Sequence, residues 1–268
     1  MVDMDFLQLL NEFCGEFIDS KTLSSVAALY ALGTGGKRKR FLFSLNAAYC
    51  FDKQICDNAK RLALAVELVH NYSLIHDDLP CMDNSLVRRG QASCFAKFGA
   101  GQATLAGDAL LNLAAQVLFG GDNLSQYLAA CKYLFDCSGF DGMIKGQSID
   151  ISANALNLKE YKNLAKEKTS KLFCAAVVPQ VILSNARQQE IELWERFCEC
   201  YGMAFQFADD IADSKTDVDS PNILKYLSLN EAKAEIKELC KQAVDCLAKT
   251  NKQCGFFIDA ANELCNLL

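Results

Sequence analysis

The chain has 268 residues, 51% hydrophobic and 22% charged, with a net charge of −6. That is length enough for a sizeable core in one domain over 1–268. The absence of a face-wide basic excess sets nucleic-acid binding aside, and no uninterrupted apolar run is long enough to span a bilayer. Fourteen cysteines without a CxxC pair, beside only His70 and His76, argue against zinc and for reduced thiols in a cytoplasmic protein.

Along the chain, apolar spacings of three and four dominate and strand-like alternation is scarce. Gly33, Gly35 and Gly36 mark a turn, and Lys37-Arg38-Lys39-Arg40 follows it. Leu62, Ala65, Val66, Val69, Tyr72, Ser73 and Leu74 form a stripe that predicts a helix over 59–79, interrupted by Pro80. Arg88 and Arg89 come next. Helices are predicted over 103–119, 126–137, 159–185, 189–213 and 229–249, some apolar nearly all round and therefore surrounded by other helices. Residues 214–228 are polar, contain Pro221 and fit a lid or a plain surface connection. No repeat or Pro/Ser-rich linker divides the chain, so the expectation is an all-α, single-domain bundle.

Two acid clusters carry the chemistry: Asp77, Asp78 and Asp83 in DDLPCMD, and Asp209, Asp210 and Asp213 in DDIAD. Close carboxylates repel by roughly 4 kcal/mol per pair at about 4 Å and an effective dielectric near 20. Mg²⁺ suits all-oxygen ligands and commonly adds substrate phosphate oxygens. Asp209 and Asp213, four residues apart, share one helix face, with Asp210 turned partly aside. Asp77 and Asp83 fall about 120° apart on a straight helix, so they form a clamp only if Pro80 lets the chain curl back. Each cluster alone also fits a bland reading, an exposed acidic helix face or a capped helix exit. Gly35-Gly36 with Lys37-Arg38-Lys39-Arg40, then Arg88 with Arg89, then Lys168 with Thr169, are candidate phosphate cradles; each alone is read first as a solvated basic turn, and their occurrence together with two acid clusters is what argues against that.

The strings GGKRKR, HNYSLIHDDLPCMDNSLVRRG, AGDALL, GQSIDI, EKTSKLF and YGMAFQFADDIAD run in order from residue 35 to 213. Together they resemble the trans-isoprenyl diphosphate synthases, most closely the bacterial farnesyl diphosphate synthases. The resemblance implies an isoprenoid synthase fold, a helical bundle around a deep central cavity with the two acid motifs on facing helices. It implies three Mg²⁺ per active site, two on Asp77 and Asp83 with Asp78 in support, and one on Asp209 with help from Asp213. Lys37, Arg40, His70 and Arg89 then match residues for the homoallylic substrate, isopentenyl diphosphate. Arg88, Lys168, Thr169 and Gln206 match those for the allylic diphosphate, dimethylallyl or geranyl. Diphosphate leaves, the allylic cation is attacked by the isopentenyl double bond, and a proton is lost to the departed diphosphate. His76 is expected to orient rather than to act as acid or base.

Tyr72, five residues before Asp77, matches the family's aromatic floor for chain growth, with Ser73 beside it, and so favours a C15 product; a core tyrosine is the plain alternative. Geranyl or geranylgeranyl diphosphate synthesis keeps the same residues with a different depth. A non-catalytic partner subunit would generally have lost acids that are all present here, and a terpene cyclase would not need Lys37, Arg40 and Arg89. The family is typically homodimeric, with helices 103–137 as candidates for the interface. Two departures stand out. Phe41 replaces the family's proline, and the Gly-Lys pair expected after the second acid motif is missing, leaving Lys215 or Lys225 as substitutes.

Overall fold

The computed structural model describes residues 2, 4–18, 21–122, 124–152, 156–213 and 221–266. Among them are thirteen α-helices and one two-stranded hairpin, so the all-α expectation holds. Seven residues of the polar stretch after Asp213, 214–220 with Lys215, lie outside the described residues. The chain divides into two compact units, one made of Val2–Leu45 and Ile55–Leu124, the other mainly of Asn46–Gln54 and Ser125–Leu268.

In the first unit, α1 (Phe6–Ile18), α2 (Leu23–Gly33) and the opening turns of α3 (Lys39–Phe51) precede α4 (Asp57–Asp77). A short antiparallel hairpin, Val87–Arg88 with Gln91–Ala92, leads to α5 (Cys94–Phe98) and α6 (Ala100–Phe119). α4 packs along α6, which also receives α2. The run Leu62–Val69 of α4 is entirely buried, Glu67 included. Burying each large apolar side chain contributes roughly 1.5–3 kcal/mol. The sequence stripe therefore predicts α4 to within two residues at each end, because a core helix must keep its apolar period.

The second unit contains α7 (Ser125–Ser138), α8 (Met143–Ser152), α9 (Leu158–Ala165), α10 (Lys171–Leu183), α11 (Gln188–Asp213), α12 (Leu229–Ala248) and α13 (Gly255–Asn266). α10 lies against α7 and α11, and is buried without a break from Leu172 to Val181. Such all-round burial explains its lack of an amphipathic stripe. Trp194 meets Phe257 edge to face at 5.1 Å, with Phe197 and Tyr201 stacked beside it. Asn157 and Ser228 open α9 and α12 with reciprocal capping boxes to Glu160 and Glu231.

One predicted helix differs in its interior. The stretch read as a single helix over 159–185 is interrupted by a π-helical turn, Lys166–Ser170. Gly146 of α8 makes room for it, since a Cβ there would collide with the Lys168 backbone. Such turns insert a residue into the ladder and re-aim its side chains. Lys168 and Thr169 are in it.

Candidate active site

The first acid cluster sits where α4 ends. Pro80 stops the helix, and the chain turns back so that the Asp83 amide donates to the Asp77 carbonyl at 2.9 Å. Asn84 and Met82 donate to Leu79, and Ser85 to Asp78, closing a compact curl. The break needed to return Asp83 to Asp77 is thus present. The three carboxylates are not equivalent. Asp77 is half-buried and Asp83 exposed, whereas Asp78 is 2% exposed. Asp78 accepts from Arg88 Nε at 3.0 Å and from Arg88 Nη2 at 2.5 Å, a two-pronged pair across the turn. Asp78, Arg88 and Arg89 line a small cleft with Tyr30 and Asn71.

The basic groups of the first unit converge near His70. Burial, then the charges of Arg40, Arg89, Arg38 and Arg88, hold its imidazole pKa well below 6.5, so the ring is neutral at neutral pH. The glycine turn explains part of this crowding. Gly36 has φ +106°, and a Cβ on it would lie 2.5 Å from the Arg89 Cζ, so the guanidinium crosses a position only glycine leaves open. Arg89 donates to the Gly35 carbonyl. Lys37 is exposed and Arg40 half-buried. Arg38, part of the same basic run but given no role by the resemblance, turns inward to Glu67 at 3.1 Å.

Below the cluster, Tyr72 is buried and its ring meets that of His76 edge to face at 5.7 Å. Burial and the Asp77 charge push its phenol pKa up to about 12. Ser73 turns back to the His70 carbonyl at 2.9 Å. His76 Nε2 lies 3.1 Å from the Thr104 carbonyl and 3.8 Å from Asp108, contacts that orient the ring against α6.

In the second unit, Asp209 and Asp213 are exposed on the last turns of α11, while Asp210 is 5% exposed. Asp210 accepts from the Tyr161 hydroxyl, from Gln206 Nε2 at 2.9 Å and from the Ile223 amide at 2.9 Å. Asn222 donates to its carbonyl at 2.9 Å. Gln206 in turn accepts from Thr169 at 2.6 Å, so a hydrogen-bond chain joins the π turn to the acid motif. Lys168 pairs with Asp150 of α8. Both motifs therefore divide alike: the middle aspartate holds protein groups, and the outer two remain toward the surface. Lys225 is exposed on the 3₁₀ turn Ile223–Lys225, which Asp210 anchors.

The Polyprenyl synthetase family profile matches residues 21–222. The chain is 33% identical over 272 residues to the farnesyl diphosphate synthase of Bacillus subtilis, covering 94% of this chain and 90% of that one. The chain belongs to the polyprenyl synthetase family. It is a prenyl-transferring enzyme. Its fold matches an FPP/GFPP synthase from Zymomonas mobilis with a TM-score of 0.86 at 29% identity, covering 98% of this chain and 96% of the other. A geranyltransferase from Helicobacter pylori, complexed with magnesium and isoprenyl diphosphate, gives 0.80 at 26% identity, covering 99% and 98%. Among the described residues of this polyprenyl synthetase, no helix is long and apolar enough to cross a membrane.

Several residues that shape the site were not readable as such. Glu67, Asn71, Asp150, Tyr161 and Asn222 act through contacts distant in sequence, and only the burial of charged Glu67 in an apolar stripe could have marked one of them. No three His, Cys, Asp or Glu side chains form a ready cation cage among the described residues. Mg²⁺ usually takes one or two carboxylates and completes its shell with water and substrate phosphate. Asp77 and Asp83, brought within one curl of chain, are such a pair, and the set is all oxygen.

Proposed function

We propose that the protein condenses isopentenyl diphosphate head-to-tail with dimethylallyl or geranyl diphosphate, in a Mg²⁺-dependent reaction, to give (2E,6E)-farnesyl diphosphate. The observation that carries this reading is the joining of two opposite charge sets in one unit, the basic group around neutral His70 and the Asp77–Asp83 curl. A two-substrate diphosphate chemistry needs both.

In this reading Gly36, Lys37, Arg40, His70 and Arg89 hold the homoallylic diphosphate, and Arg88, Lys168, Thr169 and Gln206 the allylic one. Asp77 and Asp83, and Asp209 with Asp213, would be the ligands of three Mg²⁺. Bound Mg²⁺ supplies charge neutralisation of the leaving diphosphate. Asp78 and Asp210 contribute by fixing the groups they bond. Arg88 and Lys168 face developing negative charge, where preorganised donors stabilise the transition state most. Their partners Asp78 and Asp150 hold them in place beforehand. His76 orients, and no protein nucleophile is needed.

Tyr72 is the floor that ends growth at C15; its burial and the edge-to-face His76 ring support a rigid stop. Geranyl or geranylgeranyl diphosphate is the second reading, supported by the likeness to a synthase named for two product lengths. A non-catalytic subunit is disfavoured by the retention of all six acids. We place the enzyme in the cytoplasm as a homodimer.

The test is product analysis with dimethylallyl and radiolabelled isopentenyl diphosphate, with Mg²⁺ or with chelator. A chelator-sensitive C15 chain is expected. A C10 or C20 chain keeps the chemistry and moves the floor, and no chain at all with Mg²⁺ sinks the reading.

A further inference from the structure

We infer that Glu67 is the positioning residue of the homoallylic diphosphate cradle, setting the conformation of residues 37–41 from within the core. This rests on the assignment of Lys37 and Arg40 to that diphosphate.

Glu67 lies in the middle of α4 with no exposed surface. A carboxylate there is tolerable only if its oxygens are fully occupied, and every partner it has leads toward the cradle. Oε1 accepts from Arg38 Nη1 at 3.1 Å and from Asn71 Nδ2 at 3.2 Å. Oε2 accepts from the Phe41 amide at 3.3 Å. Phe41 is the third residue of α3, and its N–H is one of those that a helix start leaves without an internal partner. A negative charge from α4 therefore caps α3 and complements its dipole.

Arg38 adopts φ +46°, a left-handed backbone that a long side chain keeps only when its surroundings impose it. Those surroundings are Glu67, Asn71, the Leu32 carbonyl and the Phe6 ring, whose centroid is 4.5 Å from the guanidinium carbon. Lys37 directly precedes this inverted residue and Arg40 follows two positions later. Turning Arg38 inward by way of Glu67 thus decides where its neighbours can reach. The Glu67 charge also offsets the mutual repulsion of Arg38 and Arg89. Phe41 fits the same picture. At the place where the resemblance expects proline, this chain has a residue with an N–H to give, and Glu67 accepts it.

The experiment is steady-state kinetics on Glu67→Gln, which keeps shape and removes charge, together with calorimetric binding of isopentenyl diphosphate alone. The KM and Kd for isopentenyl diphosphate should each rise about tenfold, while kcat and the allylic KM stay within about twofold. Glu67→Asp should recover part of that loss. If the single variant does not fold, the pair Arg38→Met with Glu67→Leu replaces the ion pair by packing and should show the same selective rise. An unchanged isopentenyl KM in either folded variant overturns the inference. So does a parallel rise of both KM values, which marks a general structural role. Failure of the wild-type protein to bind isopentenyl diphosphate or form product overturns the functional reading instead.

Discussion

A negative charge at the C-terminal end of a helix faces the negative end of its dipole, and Asp77 is the last residue of α4. The dipole alone opposes its charge there by roughly 0.3–1 kcal/mol, while the nearby Arg88 charge favours it. With these two effects opposed, Asp77→Ala should melt close to the wild-type temperature while turnover falls at least about a hundredfold; calorimetry and a product assay on one sample decide it. His70 gives a second prediction. Its folded pKa is depressed, so the folded protein binds fewer protons than the unfolded chain, whose histidine titrates near 6.5. Stability from this group is complete above about pH 6.5 and lost as pH falls toward the folded pKa, by up to about 1.4 kcal/mol per pH unit. Denaturant unfolding between about pH 8 and pH 5 should show that slope, and His70→Gln should flatten it.

At the scale of elements, Asp210 joins three pieces of the second unit: α11, α9 through Tyr161, and the 3₁₀ turn through Ile223. Tyr161 also stacks on Tyr226 at 5.2 Å. Removing only the hydroxyl, Tyr161→Phe, should cost about 1.5–3 kcal/mol, the range for a hydrogen bond to a charged group. The length of the product should not change, because the ring and its stacking remain; urea unfolding and chain sizing check the two halves. On α4, Tyr72→Ala should act the opposite way, with a longer product and a stability loss of about 3–5 kcal/mol from the emptied core position. An unchanged chain length would place the floor elsewhere.

Over the whole molecule, the sequence exposes what depends on period and charge. The helices around the acid motifs follow from apolar spacing, and the curl at Pro80 from the mismatch between Asp77 and Asp83. Helix geometry turned Asp210 partly aside and the resemblance gave Asp78 a supporting place, but what the two bond instead was not readable, because their partners Arg88, Tyr161 and Ile223 lie ten or more residues away. The π turn was hidden for a similar reason: its cause includes the close approach of Gly146, some twenty residues earlier. Leu105 and Phe119 on α6 are exposed apolar side chains on a helix proposed for a dimer interface, and so is Leu128 on α7. Light scattering at micromolar concentration should return about twice the 29.5 kDa chain mass; a stable monomer would remove the proposed assembly.

The cysteines turn the molecule into its own reporter. Burial raises the pKa of thiols such as Cys14, Cys94 and Cys200 to about 11, which makes them poor nucleophiles while the chain is folded. Cys56 and Cys81 are exposed, and Cys81 lies inside the curl between Asp77 and Asp83. A slow alkylating agent thus reads two events from one unmodified polypeptide. Early labelling at Cys81 senses whatever occupies the acid curl, and late labelling of the interior times its opening.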